Sequence, residues 1–377
     1  MFMVLRHTGI IEIVVDKLAR KFSGRSFLLI PILITVFATV ATLIGTPELS
    51  LVYIPVIMPL MIALGYDSIV AAAIALCGTV IGFAAGVLNP INTGLAQKVS
   101  GLPVFSGLGF RLIIFIVVVS AAIAYILRYA KKVKDDDTRS LVYEDDQEKR
   151  KMYRDQGEVE EKHMTTRQKY AAITTLIFFG ILVYGVIGRG WFMIEMSGLF
   201  IFMGIVVGLI AGLNTKEISE GFNQGFRDVL VGAIIVGIAR AVAVVMEDGH
   251  IMDTIVYSLG SAVNELPPVL GAGGMYFIQL IINFFIPSGS GQALVTMPIM
   301  APLSDLIGVT RQTAVLAFQL GDGFAHILYP TSGYFMAALT IAGVPYQKWL
   351  RFFLPLFVIF ALISIVSLVI AQMIQWS

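Results

Sequence analysis

Apolar residues fill this chain in long blocks, and a few short polar segments interrupt them. One such segment, Ile-Pro-Ser-Gly-Ser-Gly-Gln at residues 286–292, lies between the apolar blocks 275–285 and 293–303. Each block is shorter than the roughly 20 residues that a helix needs to cross a bilayer. We therefore predict a re-entrant hairpin over residues 275–307. Its polar tip must be buried in protein or face a wet cavity, because lipid cannot satisfy exposed backbone groups.

A second hairpin is predicted over residues 27–64, because the Gly-Thr-Pro-Glu segment at residues 45–48 interrupts another apolar block. Each predicted hairpin precedes a helix that a proline should break. In the first case Asn89-Pro90 divides residues 68–107, and in the second Pro330-Thr331-Ser332-Gly333 divides residues 312–342.

The other apolar blocks predict membrane spans over residues 108–129, 170–188, 191–213, 229–246 and 352–374. Residues 1–26 are amphipathic and basic, which is typical of a helix at a membrane surface. Lys216 to Asp228 reads as a short polar connector. Residues 131–169 carry 11 basic and 11 acidic residues, and this content predicts a solvated cytoplasmic linker.

The two halves of the chain show an internal repeat. Pro47 and Pro287 at the hairpin tips are 240 residues apart, and Pro90 and Pro330 at the helix breaks have the same separation. The first repeat is residues 1–130 and the second is residues 170–377. By this comparison the first repeat is short by two to three N-terminal helices, which puts transport by this chain alone in doubt.

Charge indicates that the repeats have opposite orientations. Basic residues precede the first hairpin (Lys17, Arg20, Lys21 and Arg25), whereas residues 241–310 contain no lysine or arginine. By the positive-inside rule the first hairpin enters from the cytoplasm and the second from the other side. Inverted repeats of this kind place a solute site near the middle of the membrane, where broken helices meet.

Composition agrees with a membrane protein. The chain is 57% hydrophobic and 14% charged, whereas soluble domains carry about 25% charged residues. The predicted fold class is an all-α polytopic protein of the cytoplasmic membrane, with the lipid bilayer as a partner. The net charge of +1 gives no support for a nucleic-acid partner, and none is expected. With one cysteine, Cys77, no intrachain disulfide can form.

The candidate site residues lie at the two tips and two breaks. At the second tip, hydroxyl, amide and backbone N–H groups would suit a carboxylate at a helix N-terminus; the alternative is a turn without a ligand. At the first tip, the alternative is a solvated loop end. The tip residues are Ser288, Gly289, Ser290 and Gln292, with Gly45, Thr46 and Glu48.

At the breaks, side-chain oxygens beside unwound backbone suit Na⁺ or a substrate carboxylate, and the alternative is helix capping. These residues are Asn89, Asn92, Thr93, Thr331 and Ser332. A coupling Na⁺ would lie near Asn89, Asn92 and Thr331; a coupling H⁺ is the other alternative, and no further cofactor or metal is expected.

One face of the second broken helix is polar, because Gln319, Asp322 and His326 are spaced by three and four residues. An ionisable residue within a membrane span is a functional candidate by default. Asp322 could bind a coupling cation or an amino group, and His326 could carry a proton. The alternative is a buried hydrogen-bonded pair, which could include Arg240.

Several segments resemble the YfcC family, relatives of the C4-dicarboxylate anaerobic carriers within the ion transporter superfamily. The matching segments are residues 62–68, Asn89-Pro90, 237–240, 283–292, 298–303 and 329–333. The resemblance implies secondary transport of carboxylates, dipeptides or amino acids, with the substrate between the tips and breaks. It also implies a homodimer held by a scaffold domain, and a transport domain that moves like an elevator.

The leading hypothesis is a cation-coupled or exchange carrier for a small carboxylate-bearing solute, and not an enzyme. A basic amino acid antiporter is the alternative, because Asp322 favours an amino group. A distant alternative is an intramembrane serine hydrolase with Ser288 or Ser290 as nucleophile and His326 as base. A channel is disfavoured, because the hairpins would occlude it.

Overall fold

The structure is a computed structural model that describes residues 1–10, 13, 26–153, 164–189, 191, 193–251, 254, 258 and 267–376. Secondary structure within these residues is helical throughout. In chain order the helices are α1 (Phe2–His7), α2 (Ser26–Ile44), α3 (Ser50–Ala63), α4 (Ser68–Ala85), α5 (Leu95–Val99), α6 (Leu108–Asp135), α7 (Gln147–Tyr153), α8 (Thr166–Arg189), α9 (Met193–Ala211), α10 (Thr215–Asp248), α11 (Pro268–Phe285), α12 (Gly289–Leu306), α13 (Arg311–Ala325), α14 (Gly333–Ala342) and α15 (Tyr346–Met373).

Five segments of the described residues are long and apolar enough to cross a membrane, judged by length and composition. They are Ser26–Leu43, Ser68–Val99, Leu108–Asp135, Pro268–Phe285 and Tyr346–Met373. The prediction of an all-α membrane protein is confirmed.

Helices α2–α6 and α11–α15 form two series with the same order of elements. In both series two helices are joined by a short tip, a helix then stops and a short helix follows, and a 28-residue helix ends the series. The packing also corresponds. In each series the first hairpin helix packs against the interrupted helix and the final helix, and the second hairpin helix packs against the interrupted helix.

The two series exchange contacts at the centre of the molecule. Helix α4 packs against α13, α3 packs against α14, and α12 packs against α5. Every residue of α4 is buried, as is α13 from Gln312 to Ala325. The two helices approach closely at Gly323, where a Cβ would lie 2.3 Å from Cβ of Ala84. The two interrupted helices therefore form the core around which the other helices pack.

Glycines permit the close packing of each interrupted helix on its hairpin. A Cβ at Gly82 in α4 would lie 2.1 Å from the carbonyl oxygen of Ala38 in α2. A Cβ at Gly321 in α13 would lie 2.8 Å from the carbonyl oxygen of Tyr276 in α11. Small residues at helix contacts in membranes allow backbones to approach in this way.

The two hairpins begin at opposite ends of α6. At the first hairpin, Ser26 Oγ contacts the Lys134 ammonium in the last turn of α6. At the second, a Cβ at Gly308 would lie 3.5 Å from Cγ of Pro268, where the hairpin begins. Nearby, Thr310 Oγ1 donates to the Trp376 carbonyl at 2.6 Å, and the Trp376 ring lies 5.1 Å from that of Phe110 at the start of α6. A 28-residue helix is about 42 Å long, so α6 separates the two hairpin bases by more than the apolar thickness of a bilayer.

Both predicted helix breaks occur, and local chemistry explains the first. Helix α4 ends at Gly86, which has a φ of +51°. The Asn89 side chain then accepts from the N–H groups of Ile91 and Asn92 and begins a π-helical turn, Pro90–Gly94. In the second series α13 ends at Ala325, and α14 resumes at Gly333 after Pro330.

Several predicted boundaries are wrong. The first helix of the second hairpin begins at Pro268, not at residue 275, and its 18 residues are long enough to cross. Residues 216–228 are not a connector, because α10 runs unbroken from Thr215 to Asp248. Helix α1 packs against α9 and α10, with Val4 fully buried; the membrane-surface position of residues 1–26 stays a prediction. Lys17, Arg20, Lys21 and Arg25 lie outside the described residues.

The charged linker is not simply solvated over residues 136–153. Asp146 is fully buried and accepts from Ser68 N at 2.7 Å and Ser68 Oγ at 2.6 Å. Lys149 donates to Asp146 at 2.7 Å and to the carbonyl of Ala342, the last residue of α14, at 2.8 Å. This part of the linker therefore joins the start of α4 to the end of α14. Residues 154–163 lie outside the described part.

Two hydrophobic clusters divide the interior. The larger one contains both hairpins and both interrupted helices. The smaller one joins α1, α8 and α9 around Leu5, Phe178 and Met203. Leu49 at the first tip and Leu182 in α8 form a small contact between the two, and α10 packs against α14.

Candidate functional site

Asp322 lies at the centre of the molecule, near the crossing of α4 and α13. Its side chain is fully buried. Oδ1 accepts from Nδ2 of Asn283 in α11 at 2.8 Å, and Oδ2 accepts from Nδ2 of Asn92 at the first helix break at 3.1 Å. One carboxylate thus connects the second hairpin, the second interrupted helix and the first break.

A second layer of amides holds Asn283 in place. Asn283 Nδ2 also donates to Gln292 Oε1 at 3.2 Å. Gln292 Nε2 in turn donates to both the backbone carbonyl and Oε1 of Gln279, each at 2.8 Å. Because Gln279 and Asn283 lie on α11 and Gln292 lies on α12, this network ties the two helices of the second hairpin together below the tip.

His326 lies beside the Asp322 carboxylate. Its Nε2 is 3.3 Å from Asp322 Oδ1, within ion-pair distance. The Glu48 carboxyl at the first tip is within electrostatic reach of His326 and of the Tyr334 hydroxyl. The His326 ring contacts Phe83 edge-on at 5.4 Å and Tyr334 at 5.9 Å. The first tip and both interrupted helices therefore meet around this imidazole.

Buried polar atoms without hydrogen-bond partners gather at this centre. Among the described residues they include Thr46 Oγ1, Glu48 Oε2, Asn92 Oδ1, Thr93 Oγ1, Asn283 Oδ1, Thr331 Oγ1 and both ring nitrogens of His326. Most buried polar groups in proteins are paired, and each exception calls for an explanation such as a water, an ion or a ligand. Both tips and both breaks contribute to or border this set.

Each tip packs against the residues of the centre through one glycine. A Cβ at Gly45 would lie 2.4 Å from Asn89 Oδ1. A Cβ at Gly289 would lie 2.6 Å from Phe83 Cζ and 3.2 Å from Asp322 Oδ2. The first tip therefore rests on the first break, and the second tip rests on Phe83 and Asp322.

Three of the predicted site residues form hydrogen bonds that hold the local helices and turns in place. Asn89 uses Oδ1 to cap the π-helical turn and donates from Nδ2 to the Phe83 carbonyl at 3.2 Å, as the capping alternative predicted. Ser288 is exposed, and its Oγ accepts from Gly291 N at 3.3 Å as the N-cap of α12. The Gln292 amide oxygen accepts a hydrogen bond from Asn283 Nδ2. Ser290 is half-buried, and Ser332 is buried with its hydroxyl unpaired among the described residues.

Sequence analysis did not assign Asn283, Phe83 or Tyr334 to the site. Asn283 carried the same signal as Asp322, a polar residue inside an apolar helix. Phe83 carried none, because an aromatic residue in a membrane helix is ordinary. The side chain of Arg240 lies outside the described part of the structure, so its pairing with Asp322 stays a prediction.

Arg111 is a further buried ionisable residue, and it comes from the first helix series. It is fully buried in the first turn of α6. Its Nη1 donates to Gln319 Oε1, and its Nη2 donates to Gln312 Oε1 at 3.0 Å. The guanidinium carbon lies 5.0 Å from the ring centroid of Trp376.

The unpaired oxygens at the centre are of the kind that hard cations prefer. No group of three or more His, Cys, Asp and Glu residues that could hold a metal ion occurs within the described ranges. The free oxygens of Asn92, Thr93 and Thr331 belong to amides and hydroxyls, which suit hard cations. The Na⁺ site near Asn89, Asn92 and Thr331 stays a prediction.

These features define a class: a multi-pass membrane protein whose interrupted helices meet around buried ionisable groups, as in secondary transporters. Comparison with known proteins gives the family. The profile of the DcuC family, described as C4-dicarboxylate anaerobic carrier, matches residues 1–373. The chain belongs to this family, and it is a multi-pass transporter of the cytoplasmic membrane.

The resemblance to YfcC is confirmed. The chain is 34% identical to the "Putative basic amino acid antiporter YfcC" of Escherichia coli over 362 residues, which are 93% of this chain and 71% of that protein. It is 30% identical to an uncharacterized protein of Haemophilus influenzae over 97% of this chain and 72% of that protein. The crystal structure of the Alcanivorax borkumensis YdaH transporter has the same fold, with a TM-score of 0.50, 14% identity, and coverage of 100% of this chain and 84% of that chain.

Proposed function

We propose that this protein is a secondary active transporter that carries a small carboxylate-bearing solute across the cytoplasmic membrane. The solute would be an amino acid, a dipeptide or a C4-dicarboxylate, moved by cation coupling or by exchange. The observation that supports this proposal most directly is the set of unpaired polar atoms around Asp322. Each unpaired buried group costs about 1–3 kcal/mol, so a ligand that satisfies several of them at once would bind there favourably.

Alternating access would come from two inverted repeats. Two observations support this: the two helix series have corresponding contacts, and their hairpins begin at opposite ends of α6. We further propose an elevator motion, in which the larger hydrophobic cluster moves against a scaffold built on the smaller one. The small contact between Leu49 and Leu182 is compatible with such sliding. A homodimer held by the scaffold stays a prediction.

An amino acid is the solute class that the centre favours. Asp322 and Glu48 bring two carboxyl groups close to His326, which suits an ammonium or a coupling cation better than a dicarboxylate. The name of the E. coli relative, a basic amino acid antiporter, agrees with this alternative, whereas the family description names C4-dicarboxylates. Coupling by H⁺ would use His326, and coupling by Na⁺ would use the free oxygens at the breaks.

Uptake by proteoliposomes tests the proposal. We would reconstitute the full-length protein and measure the flux of L-arginine, a dipeptide and succinate, each with and without Na⁺ and pH gradients, and each with the same solute inside to detect exchange. We expect saturable flux of at least one solute. No flux under any gradient or in exchange would overturn the proposal.

The hydrolase alternative has little support from the geometry. In the described part of the chain Ser288 Oγ bonds to Gly291 N, and His326 contacts Asp322, not a serine. Labelling by a serine-reactive fluorophosphonate that disappears in Ser290→Ala would revive this alternative.

A further inference from the structure

Arg111 lies in an unusual electrostatic setting. It is fully buried. Within the described residues its two hydrogen bonds go to neutral amide oxygens, those of Gln319 and Gln312. Its Nε has no partner in the described ranges. No carboxylate of the described part forms a recorded ion pair with it. A buried charge is costly unless it is paired and hydrogen-bonded, so an anionic ligand would stabilise this guanidinium.

Arg111 is linked to the centre through Gln319. Gln319 precedes Asp322 by three residues on α13, so the two lie on one helical face. Gln319 Nε2 donates to the Ala84 carbonyl at 2.7 Å. A Cβ at Gly86 would lie 2.2 Å from Gln319 Nε2 and 2.1 Å from Thr93 Oγ1, so this amide and this free hydroxyl border the same point. Arg111 is therefore connected through Gln319 to the region of Thr93 at the first break.

We propose that Arg111 receives the carboxylate of the transported solute. A guanidinium presents several N–H donors in a planar fork that matches the two oxygens of a carboxylate. The solute carboxylate would replace the Gln319 amide oxygen as the acceptor and would also engage the free Nε–H. Gln319 would then be free to donate to the solute or to close behind it. This inference rests on the proposed function and adds the residue that recognises the anionic group.

The second tip is a poorer place for that carboxylate. A helix N-terminus favours an anion, but Oδ2 of Asp322 already lies 3.2 Å from the position of a Cβ at Gly289, the first residue of α12. A solute carboxylate at this tip would face the negative charge of Asp322. At Arg111 it would face a cation without an anionic partner among the described residues.

Two opposite charges at this spacing define a solute class. Asp322 is three residues beyond Gln319, a rise of about 4.5 Å along a helix, and the Arg111 guanidinium lies on the other side of Gln319, towards Gln312. A solute that carries a carboxylate and an ammonium a few bonds apart could reach Arg111 with one and Asp322 with the other. We therefore assign the site to a zwitterion, an amino acid or short peptide, over a solute with two carboxylates.

Paired probes test this assignment. We would measure thermal stabilisation of the detergent-solubilised chain by L-arginine, L-lysine, a dipeptide and succinate, each beside its carboxamide. The wild type should bind an amino acid or dipeptide and prefer it to its amide by about ten- to a hundredfold, as expected for a hydrogen-bonded charge. Arg111→Gln should lose this preference. Arg351→Gln, which changes an exposed arginine, should retain it.

Each outcome has a separate meaning. If no probe binds the wild type, the proposed function fails and this inference fails with it. If the wild type prefers carboxylates and Arg111→Gln prefers them equally, the Arg111 assignment alone is wrong. If succinate binds best, the zwitterion assignment is wrong. Should Arg111→Gln fail to give monodisperse protein, Arg111→Lys decides: it should keep the carboxylate preference with about tenfold weaker binding, and equal losses for acid and amide would show a purely structural role.

Discussion

The two interrupted helices occupy corresponding places in their series, but their buried side chains differ in polarity. Helix α4 is buried along its whole length and is apolar or small; the hydroxyl of Thr79 bonds back to its own helix, to the Ala75 carbonyl at 2.9 Å. Helix α13 is equally buried but carries Gln312, Gln319 and Asp322, with His326 at its end. The first helix packs, and the second presents charge to the centre.

The crossing point shows how this difference arises. Ala84 and Gly323 approach closely there, and the preceding residues, Phe83 and Asp322, both border Gly289 of the second tip. A ring on one side and a carboxylate on the other hold the same tip. The first half supplies its polar groups from its tip and break instead of from its helix. Two helix series with corresponding packing therefore contribute different polar groups to the centre.

The largest effect is expected from removing the charge on α13. Asp322→Asn keeps the size of the side chain but replaces the carboxylate that binds Asn92 and Asn283. We predict a loss of about a hundredfold in uptake of an amino acid, because hydrogen bonds to charged groups contribute about 1.5–3 kcal/mol. Uptake by proteoliposomes measures this.

The matched control is Asp305→Asn. Asp305 pairs with Arg311 at 2.7 Å, and both side chains are substantially exposed, so uptake should be unchanged. If Asp322→Asn transports as well as this control, the charge on α13 has no part in transport.

A second, smaller effect concerns the tip between Phe83 and Asp322. A Cβ at Gly289 would meet Phe83 Cζ at 2.6 Å, which forces one of them to move. We predict that Gly289→Ala lowers uptake about tenfold, as a misplacement near a site can cost up to about a hundredfold. Because leucine lacks Cζ, Phe83→Leu should restore most of the loss in the double variant. No rescue would mean that this contact does not set the position of the tip.

A double-mutant cycle sharpens the comparison between the tips. Glu48 belongs to the first half and His326 to the second, and the two interact electrostatically. The effects of Glu48→Gln and His326→Gln on the uptake rate should be non-additive by several-fold, corresponding to about 0.5–3 kcal/mol for residues in one network. Additive effects would argue that the two residues act independently.

The smallest effect is expected on stability, where the linker joins the two halves. Lys149 connects Asp146 and Ser68 to the Ala342 carbonyl. We predict that Lys149→Met lowers the free energy of unfolding by about 1–3 kcal/mol, because it leaves the buried Asp146 without its cation. Thermal unfolding in detergent measures this, and the Michaelis constant for uptake should not change.

Lys348→Met is the comparison variant. Lys348 pairs with Asp145 at 2.6 Å nearer the surface, and such pairs contribute about 0–1 kcal/mol. Equal destabilisation by both variants would show that the linker does not hold the halves together through Asp146.

Much of the site could be predicted from sequence, because prolines, glycines and asparagines inside apolar blocks have few structural uses. Pro47, Pro90, Pro287 and Pro330 mark the two tips and the two breaks that the structure brings together. Asp322 was found by the same logic, as an ionisable residue in a membrane helix.

Other features depend on contacts that no local pattern encodes. The role of Phe83 requires that α4 and α13 cross beside Gly289. Arg111 was visible, but its setting depends on Gln312 and Gln319 from the other half. The charged start of α10 looked like a connector because helix formation does not require an apolar face beyond the membrane. Asp146 looked solvated because its partner, Ser68, is 78 residues away.

The central claim is that two inverted halves close one site from opposite sides of the membrane, and cysteine labelling tests it most directly. The only cysteine, Cys77, is fully buried, so an impermeant maleimide should not label the wild type. Glu144→Cys reports the linker side, where the first hairpin begins, and Leu306→Cys reports the end of the second hairpin; both positions are exposed. We predict that intact cells label Leu306→Cys at once and Glu144→Cys only after permeabilisation. Labelling of both from the same side would contradict the inverted arrangement.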